Sequence, residues 1–253
     1  MSSRGRVLSQ VQEIVEHERT WLVFQPIASM RGDANERYEV LLRLRDSEGQ
    51  DLIPGSVFGV VHNHELGITL DRWVIEHAID MLKQRQLATT LFIKLLPITL
   101  KDRTLSHWLR ERLEQAGVEA QRIVFEVAES VAERNMRDMF GFLGGIKQLG
   151  CGFCLDRFGR GADSLGLLKN LGADYIKLDM YFVNQLSKDR VKQTQLCELV
   201  QNLETLGALT IVGGVEDVQA MPILWSLGVD LIQGFFLQQP YREMSYDFSG
   251  AAF

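Results

Sequence analysis

From Trp21 onward, short apolar runs alternate with longer stretches in which apolar residues recur every three or four positions, the pattern of an α/β fold with a largely parallel sheet. Eight runs read as strands, near 22–27, 38–44, 91–96, 122–127, 152–156, 174–178, 209–213 and 230–234. Between them, Trp73, Val74, His77, Ala78, Met81 and Leu82 share one face of a helical region from Leu66 to Gln86. Leu105, Trp108, Leu109, Leu113 and Ala116 form a second such face, and Leu196, Leu199, Val200, Leu203 and Leu206 a third. Met136, Met139, Phe140 and Phe142 read as a further core face. Gly117, Gly150, Gly172, Gly207 and Gly228 each separate a helical stretch from a strand, where glycine supplies the left-handed residue that ends a helix. Leu171-Gly-Ala-Asp-Tyr-Ile176 and Leu227-Gly-Val-Asp-Leu-Ile232 repeat this grammar as two copies of one αβ unit.

Eight strands in 253 residues predict a closed (β/α) barrel, with an open doubly wound sheet as the alternative. Against the open sheet stands the absence of a G-x-G-x-x-G turn after the first strand and of any G-x-x-x-x-G-K-[ST]. Residues 1–20 form a lead whose Leu8, Val11, Ile14 and Val15 predict a short amphipathic helix. No Pro/Ser/Gly-rich linker interrupts residues 21–253, which read as one domain.

Composition narrows the functional classes. Hydrophobic residues make up 46% and charged residues 24%, enough apolar material for a full core, which excludes a disordered or collagen-like chain. No run of about eighteen apolar residues and no secretory signal occur, so a cytoplasmic protein without a membrane span is expected. A net charge of -6 without a basic stripe argues against a nucleic-acid polymer as partner. Three cysteines suit a reducing compartment; Cys151 and Cys154 lie in one predicted strand, their thiols on opposite faces, with no second pair to complete a zinc site. His62 and His64 read as a solvated turn.

The ends of the predicted strands are polar. Glu39, Leu41 and Arg43 share one strand face, Glu126 closes the fourth strand and Asp156 the fifth, Lys177 and Asp179 mark the end of the sixth, and Gln233 closes the eighth. Three carboxylates converging on one mouth would suit Mg²⁺ or Mn²⁺, which could activate water for phosphodiester hydrolysis. Taken singly, each carboxylate could equally cap the helix that follows it.

Phe24-Gln25-Pro26-Ile27, Glu39-Val40-Leu41-Leu42-Arg43, Phe125-Glu126-Val127-Ala128-Glu129-Ser130, Leu155-Asp156-Arg157-Phe158-Gly159-Arg160-Gly161, Tyr175-Ile176-Lys177-Leu178-Asp179, Gly214-Val215-Glu216 and Gln233-Gly234-Phe235 resemble, in order, the motifs of EAL domains. The resemblance runs from about residue 21 to 240 and implies a modified (β/α)8 TIM-like barrel of EAL type. It implies as ligand the bacterial second messenger cyclic di-GMP, which active members hydrolyse to the linear dinucleotide with Mg²⁺ or Mn²⁺.

The departures from the family pattern bear on catalysis. Ile93-Lys94-Leu95-Leu96 stands where the family carries a metal-binding Asn, and a protonated lysine cannot coordinate a cation. Arg157 and Arg160 replace an Asp and a Thr of the Asp-Asp-Phe-Gly-Thr-Gly motif, and Val212-Gly213-Gly214-Val215-Glu216 lacks one glutamate of the family run. Lys94 and Arg157 are expected to neutralise Glu39, Glu126 and Asp156 in place of a metal.

The resemblance therefore implies a cyclic di-GMP receptor with no catalytic residues, no metal and no cofactor. Its ligand-binding residues would be Gln25, Glu39, Leu41, Arg43, Asp71, Asp156, Lys177, Glu216, Gln233 and Phe235. In this set Arg43 suits a phosphate, Asp71 or Glu216 a guanine edge, and Phe235 or Phe236 a base face, unless those aromatics pack the barrel. The alternatives are a nucleotide-free protein-interaction scaffold and a residually active phosphodiesterase. Among degenerate members the chain is most similar to the C-terminal EAL domain of FimX-type regulators of type IV pilus assembly and twitching motility. That similarity implies a PilZ-domain adaptor as partner and, through it, a pilus assembly ATPase.

Overall fold

In a computed structural model the apolar runs form a ring of nine strands wrapped by helices; residues 3–17, 19–52, 54–85 and 88–250 are described. A helix α1 (Ser3–Glu16) precedes β1 (Thr20–Pro26), β2 (Ala28–Ser29) and β3 (Arg37–Leu44). Helices α2 (Pro54–Val61) and α3 (Glu65–Lys83) lead to β4 (Thr90–Lys94), and α4 (Leu105–Ala116) to β5 (Ile123–Ala128). Then follow α5 (Glu129–Arg134), α6 (Met136–Leu149), β6 (Gly152–Phe158), α7 (Ser164–Leu171) and β7 (Tyr175–Leu178). The chain continues through α8 (Arg190–Thr205), β8 (Leu209–Val212), α9 (Met221–Ser226) and β9 (Leu231–Ile232).

The strand order is β1-β3-β4-β5-β6-β7-β8-β9-β2. Because β1 and β2 are one strand broken at Ile27, their pairing with β3 on one side and β9 on the other closes the barrel. Both of those pairings are antiparallel and all the others parallel. Only residues 30–36 link β2 to β3, too few for the helical crossover that a parallel neighbour needs, so the first strand must run against the rest. This is the modification of the (β/α)8 plan.

Two apolar layers hold the ring. Ile27, Phe92, Val124, Cys154, Ile211 and Leu231 fill its interior, while the outer strand faces pack against the helices. Val11 and Ile14 of α1 are buried in that outer layer, so the lead packs onto the barrel. Gly117 and Gly150 end α4 and α6 at φ 66° and 91°, as the sequence predicts.

Several expectations shift. The run at 91–96 ends as a strand at Lys94, because Leu96 turns into a 3₁₀ segment over Pro97–Lys101. The run at 230–234 keeps only Leu231 and Ile232 as strand. Phe140 is 53% exposed, off the core face that Met139 and Phe142 occupy. Cys151 precedes β6 instead of lying in it; its thiol is free and buried, which pushes its pKa up to about 12. His64 is exposed, as expected, and also caps α3, its Nδ1 accepting the Leu66 N–H at 3.2 Å. Gln86 lies outside the described residues.

Candidate ligand-binding site

The parallel strands end together at one mouth, and their register sets the polar groups side by side. Gln25 lies opposite Glu39 and Lys94 opposite Glu126, while Asp156 follows two pairs further along β5 and β6. Lys94 Nζ stands among the three carboxylates, 3.3 Å from Glu39 Oε1, 3.0 Å from Asp156 Oδ2 and 3.8 Å from Glu126 Oε2. Lys177, buried beneath it, reaches Glu39 Oε2 at 3.1 Å and meets Glu126 Oε1 at ion-pair distance, without the alignment of a directed hydrogen bond. Gln233 Nε2 completes the cradle, donating to Glu39 Oε2 at 2.6 Å and to Gln25 Oε1 at 3.1 Å.

These contacts split the acids. Burial alone would raise Glu39, but the charges of Lys177 and Lys94 and the Gln233 amide hold its carboxyl below the usual carboxylate range. At Glu126 burial prevails over Lys177, and Glu39 nearby adds to it, so the carboxyl is pushed up to about 7. Burial would discharge the two lysines as well. The surrounding carboxylates reverse this, Glu39 foremost for Lys94 and Glu126 for Lys177, and both stay protonated.

The expected counter-ions are thus partly reassigned. Lys94 takes the predicted place, whereas Arg157 is 72% exposed with its Nε 3.9 Å from Asp156 Oδ2. The second buried counter-ion is Lys177. A divalent cation does not fit this arrangement, because the point between the three acids is filled by an ammonium. Among the described residues no group of three acids, histidines or cysteines is arranged to hold a metal.

Around the cluster, Leu41 and Arg43 are half-buried on the Glu39 face of β3. The Arg43 guanidinium donates to the Leu42 carbonyl at 3.1 Å and makes no ion pair among the described residues. Glu216 is exposed in the loop after β8. Phe235 is 54% exposed, while Phe236 packs against the outer core, so of the two aromatics Phe236 takes the barrel-packing role. Asp71 is not in the acid cluster. It is buried on α3, where its Oδ2 accepts the Leu96 N–H at 2.8 Å and the Thr99 hydroxyl at 2.6 Å, folding the turn after β4.

Glu129 is a site residue that the sequence reading passed over. At the start of α5 its Oε2 accepts the N–H groups of Gly159, Arg160 and Gly161, each at 3.1 Å, and so holds the loop that directly follows the Arg157 end of β6. Its signal was its place directly after a strand end, which reads equally well as a residue favouring a helix N-terminus. Gly234 is fixed sterically: a Cβ there would lie 2.0 Å from the Val215 carbonyl oxygen. Its absence lets the loops after β8 and β9 lock together through Val215 N–H to Gln233 O and Phe236 N–H to Val215 O, both 3.0 Å.

Comparison with known proteins places this geometry. The FimX EAL domain of Pseudomonas aeruginosa, solved bound to c-di-GMP, is 34% identical with a TM-score of 0.91, over 96% of this chain and 99% of that one. The Xanthomonas citri FimX EAL domain, solved in complex with c-di-GMP, is 28% identical with a TM-score of 0.89, over 97% of each chain. Cyclic di-GMP phosphodiesterase PdeF of Escherichia coli K12 is 28% identical over 243 residues, 95% of this chain and 32% of that protein. The chain spans about a third of the length of such curated relatives. Among the described residues no helix is long and apolar enough to cross a membrane. The EAL domain profile matches residues 8–240, and with the barrel and the strand-end residues in the family's order the chain belongs to the EAL domain family.

Proposed function

We propose that this domain binds cyclic di-GMP at the mouth of its barrel without hydrolysing it, acting as a cytoplasmic receptor that needs no metal or other cofactor. One observation carries the reading: Lys94 Nζ sits between Glu39, Glu126 and Asp156, where a cation would have to bind. Glu39 and Asp156, both paired with that ammonium, are not free to ligate a metal. The ligand side of the mouth is better provided, with Arg43 in no ion pair among the described residues and Phe235 open to a base. Likeness to two FimX EAL domains solved with c-di-GMP supports the same ligand.

Signalling would pass through protein partners. Resemblance to FimX-type regulators favours a PilZ-domain adaptor and, beyond it, a pilus assembly ATPase, with type IV pilus biogenesis and twitching motility as the process governed. Calorimetry with cyclic di-GMP, paired with a hydrolysis assay in Mg²⁺ and in Mn²⁺, tests the core of the proposal. Saturable binding with no linear product is expected. Metal-dependent turnover would make the domain a phosphodiesterase, and no binding would leave it a scaffold.

A further inference from the structure

The cluster at the mouth is layered by charge. Its three carboxylates are buried, with side-chain exposures of 8% for Glu39, 0% for Glu126 and 6% for Asp156, and Lys177 lies with them at 7%. Only the other two cations reach solvent, Lys94 at 42% and Arg157 at 72%. An anion reaching the cluster therefore meets positive charge before it meets any of these three acids. Lys94 Nζ has three N–H donors, and among the described residues only Glu39 and Asp156 have acid oxygens within hydrogen-bond reach, Glu126 being 3.8 Å away. One donor remains for a group arriving from the mouth.

Arg157 points the same way. Its Nε, 3.9 Å from Asp156 Oδ2, is too distant for a hydrogen bond, so the guanidinium keeps its donors free among the described residues. Its backbone lies in the left-handed region at φ 53°, a conformation that costs a side chain dearly and that glycine would adopt without strain. Three N–H···Oε2 bonds from the adjoining loop to Glu129 hold the segment there. Strain of this kind at the rim of a site positions a side chain for something outside the chain.

We infer that Lys94 and Arg157 are direct contacts for an anionic phosphodiester, Lys94 through its remaining N–H and Arg157 through its guanidinium fork. The inference rests on the proposed cyclic di-GMP reading and assigns two contacts beyond Arg43. Binding would be carried by fixed side-chain cations alone, above acids that Lys94 and Lys177 already pair.

Titration calorimetry of cyclic di-GMP in EDTA-containing buffer tests this with Arg157→Gly and Lys94→Met. Arg157→Gly relieves the left-handed strain, so its melting temperature should equal or exceed that of the wild type while its affinity falls by about fivefold or more. A residue with only a structural role would not separate the two readouts in that direction. Lys94→Met should weaken binding by about tenfold or more. If that variant does not fold, NMR of the wild type replaces it, with the Lys94 Nζ and Arg157 Nε resonances expected to shift on saturation. Wild-type binding with unchanged affinity in both variants, or with both resonances unmoved, overturns this inference and leaves the receptor reading standing. Absence of wild-type binding overturns the receptor reading itself, and this inference with it.

Discussion

At Asp71 one carboxylate oxygen receives both the Leu96 N–H and the Thr99 hydroxyl, yet burial outweighs these bonds and pushes its pKa up to about 7 from 3.8. The folded state therefore holds this proton more tightly than the unfolded chain does. Its stabilising effect is complete below about pH 4 and is lost as the pH rises through about 7. Glu126 acts in the same sense, whereas the lowered Glu39 loses its contribution only in strong acid. Asp71→Asn removes one of the two neutral-range titrations. Its melting temperature should thus decline less than that of the wild type between about pH 5 and pH 8. Parallel pH profiles for the two proteins would show that Asp71 does not titrate with folding. At this scale the sequence displayed the identity of each group, but the opposite behaviour of Glu39 and Glu126 depends on burial and on the Gln233 amide, which donates to Glu39 while the Glu126 oxygens have no hydrogen bond among the described residues, and that is a matter of three-dimensional placement.

At the scale of elements, loops complete what the strands begin. β6 delivers Asp156 to the mouth, and the loop that follows is held by Glu129 of α5. Glu129→Ala would leave three N–H groups without their charged acceptor. A loss of about 1.5–3 kcal/mol in stability is expected, the usual worth of hydrogen bonding to a charged group. Faster amide hydrogen exchange at Gly159, Arg160 and Gly161 should accompany it, and exchange rates equal to the wild type would show that the loop is held by other contacts. Strand positions were legible from apolar runs to within a few residues, as at 152–156 for β6 (Gly152–Phe158). Strand ends were not: where β4 and β9 stop depends on Asp71 catching Leu96 and on Gly234 meeting Val215, contacts remote in sequence.

For the whole molecule, the barrel is closed both by the broken first strand and by the segment after β9, where Phe24 and Tyr241 exchange backbone hydrogen bonds of 2.7 and 3.0 Å. The tail beyond runs down the outer face, with the Met244 carbonyl accepting from Arg85 and the Tyr246 N–H donating to the Tyr38 hydroxyl. Candidate-site residues from β1, β3 and the loop after β9 thus belong to one hydrogen-bonded ring, joined through Gln25, Glu39 and Gln233. If the domain is a receptor that signals to an adaptor, nucleotide and adaptor must alter each other's affinity by the same factor. Titrating a PilZ-domain adaptor with and without saturating cyclic di-GMP should give a difference of about 5- to 150-fold. Identical affinities would rule out signalling by this route.

The sequence by itself determined the barrel class, the strand-end residues and the presence of an ammonium where a metal ligand is expected. All three are carried by local periodicity or by residue identity, which a linear reading preserves. Tertiary structure decided the antiparallel first strand, the choice of Lys177 over Arg157 as the second buried counter-ion, and the burial of acids beneath exposed cations. Each of these depends on the direction, depth and distance of groups brought together from opposite sides of a ring. Electrostatic partnership falls off with separation in space, whatever the spacing along the chain, so only the closed barrel could settle it.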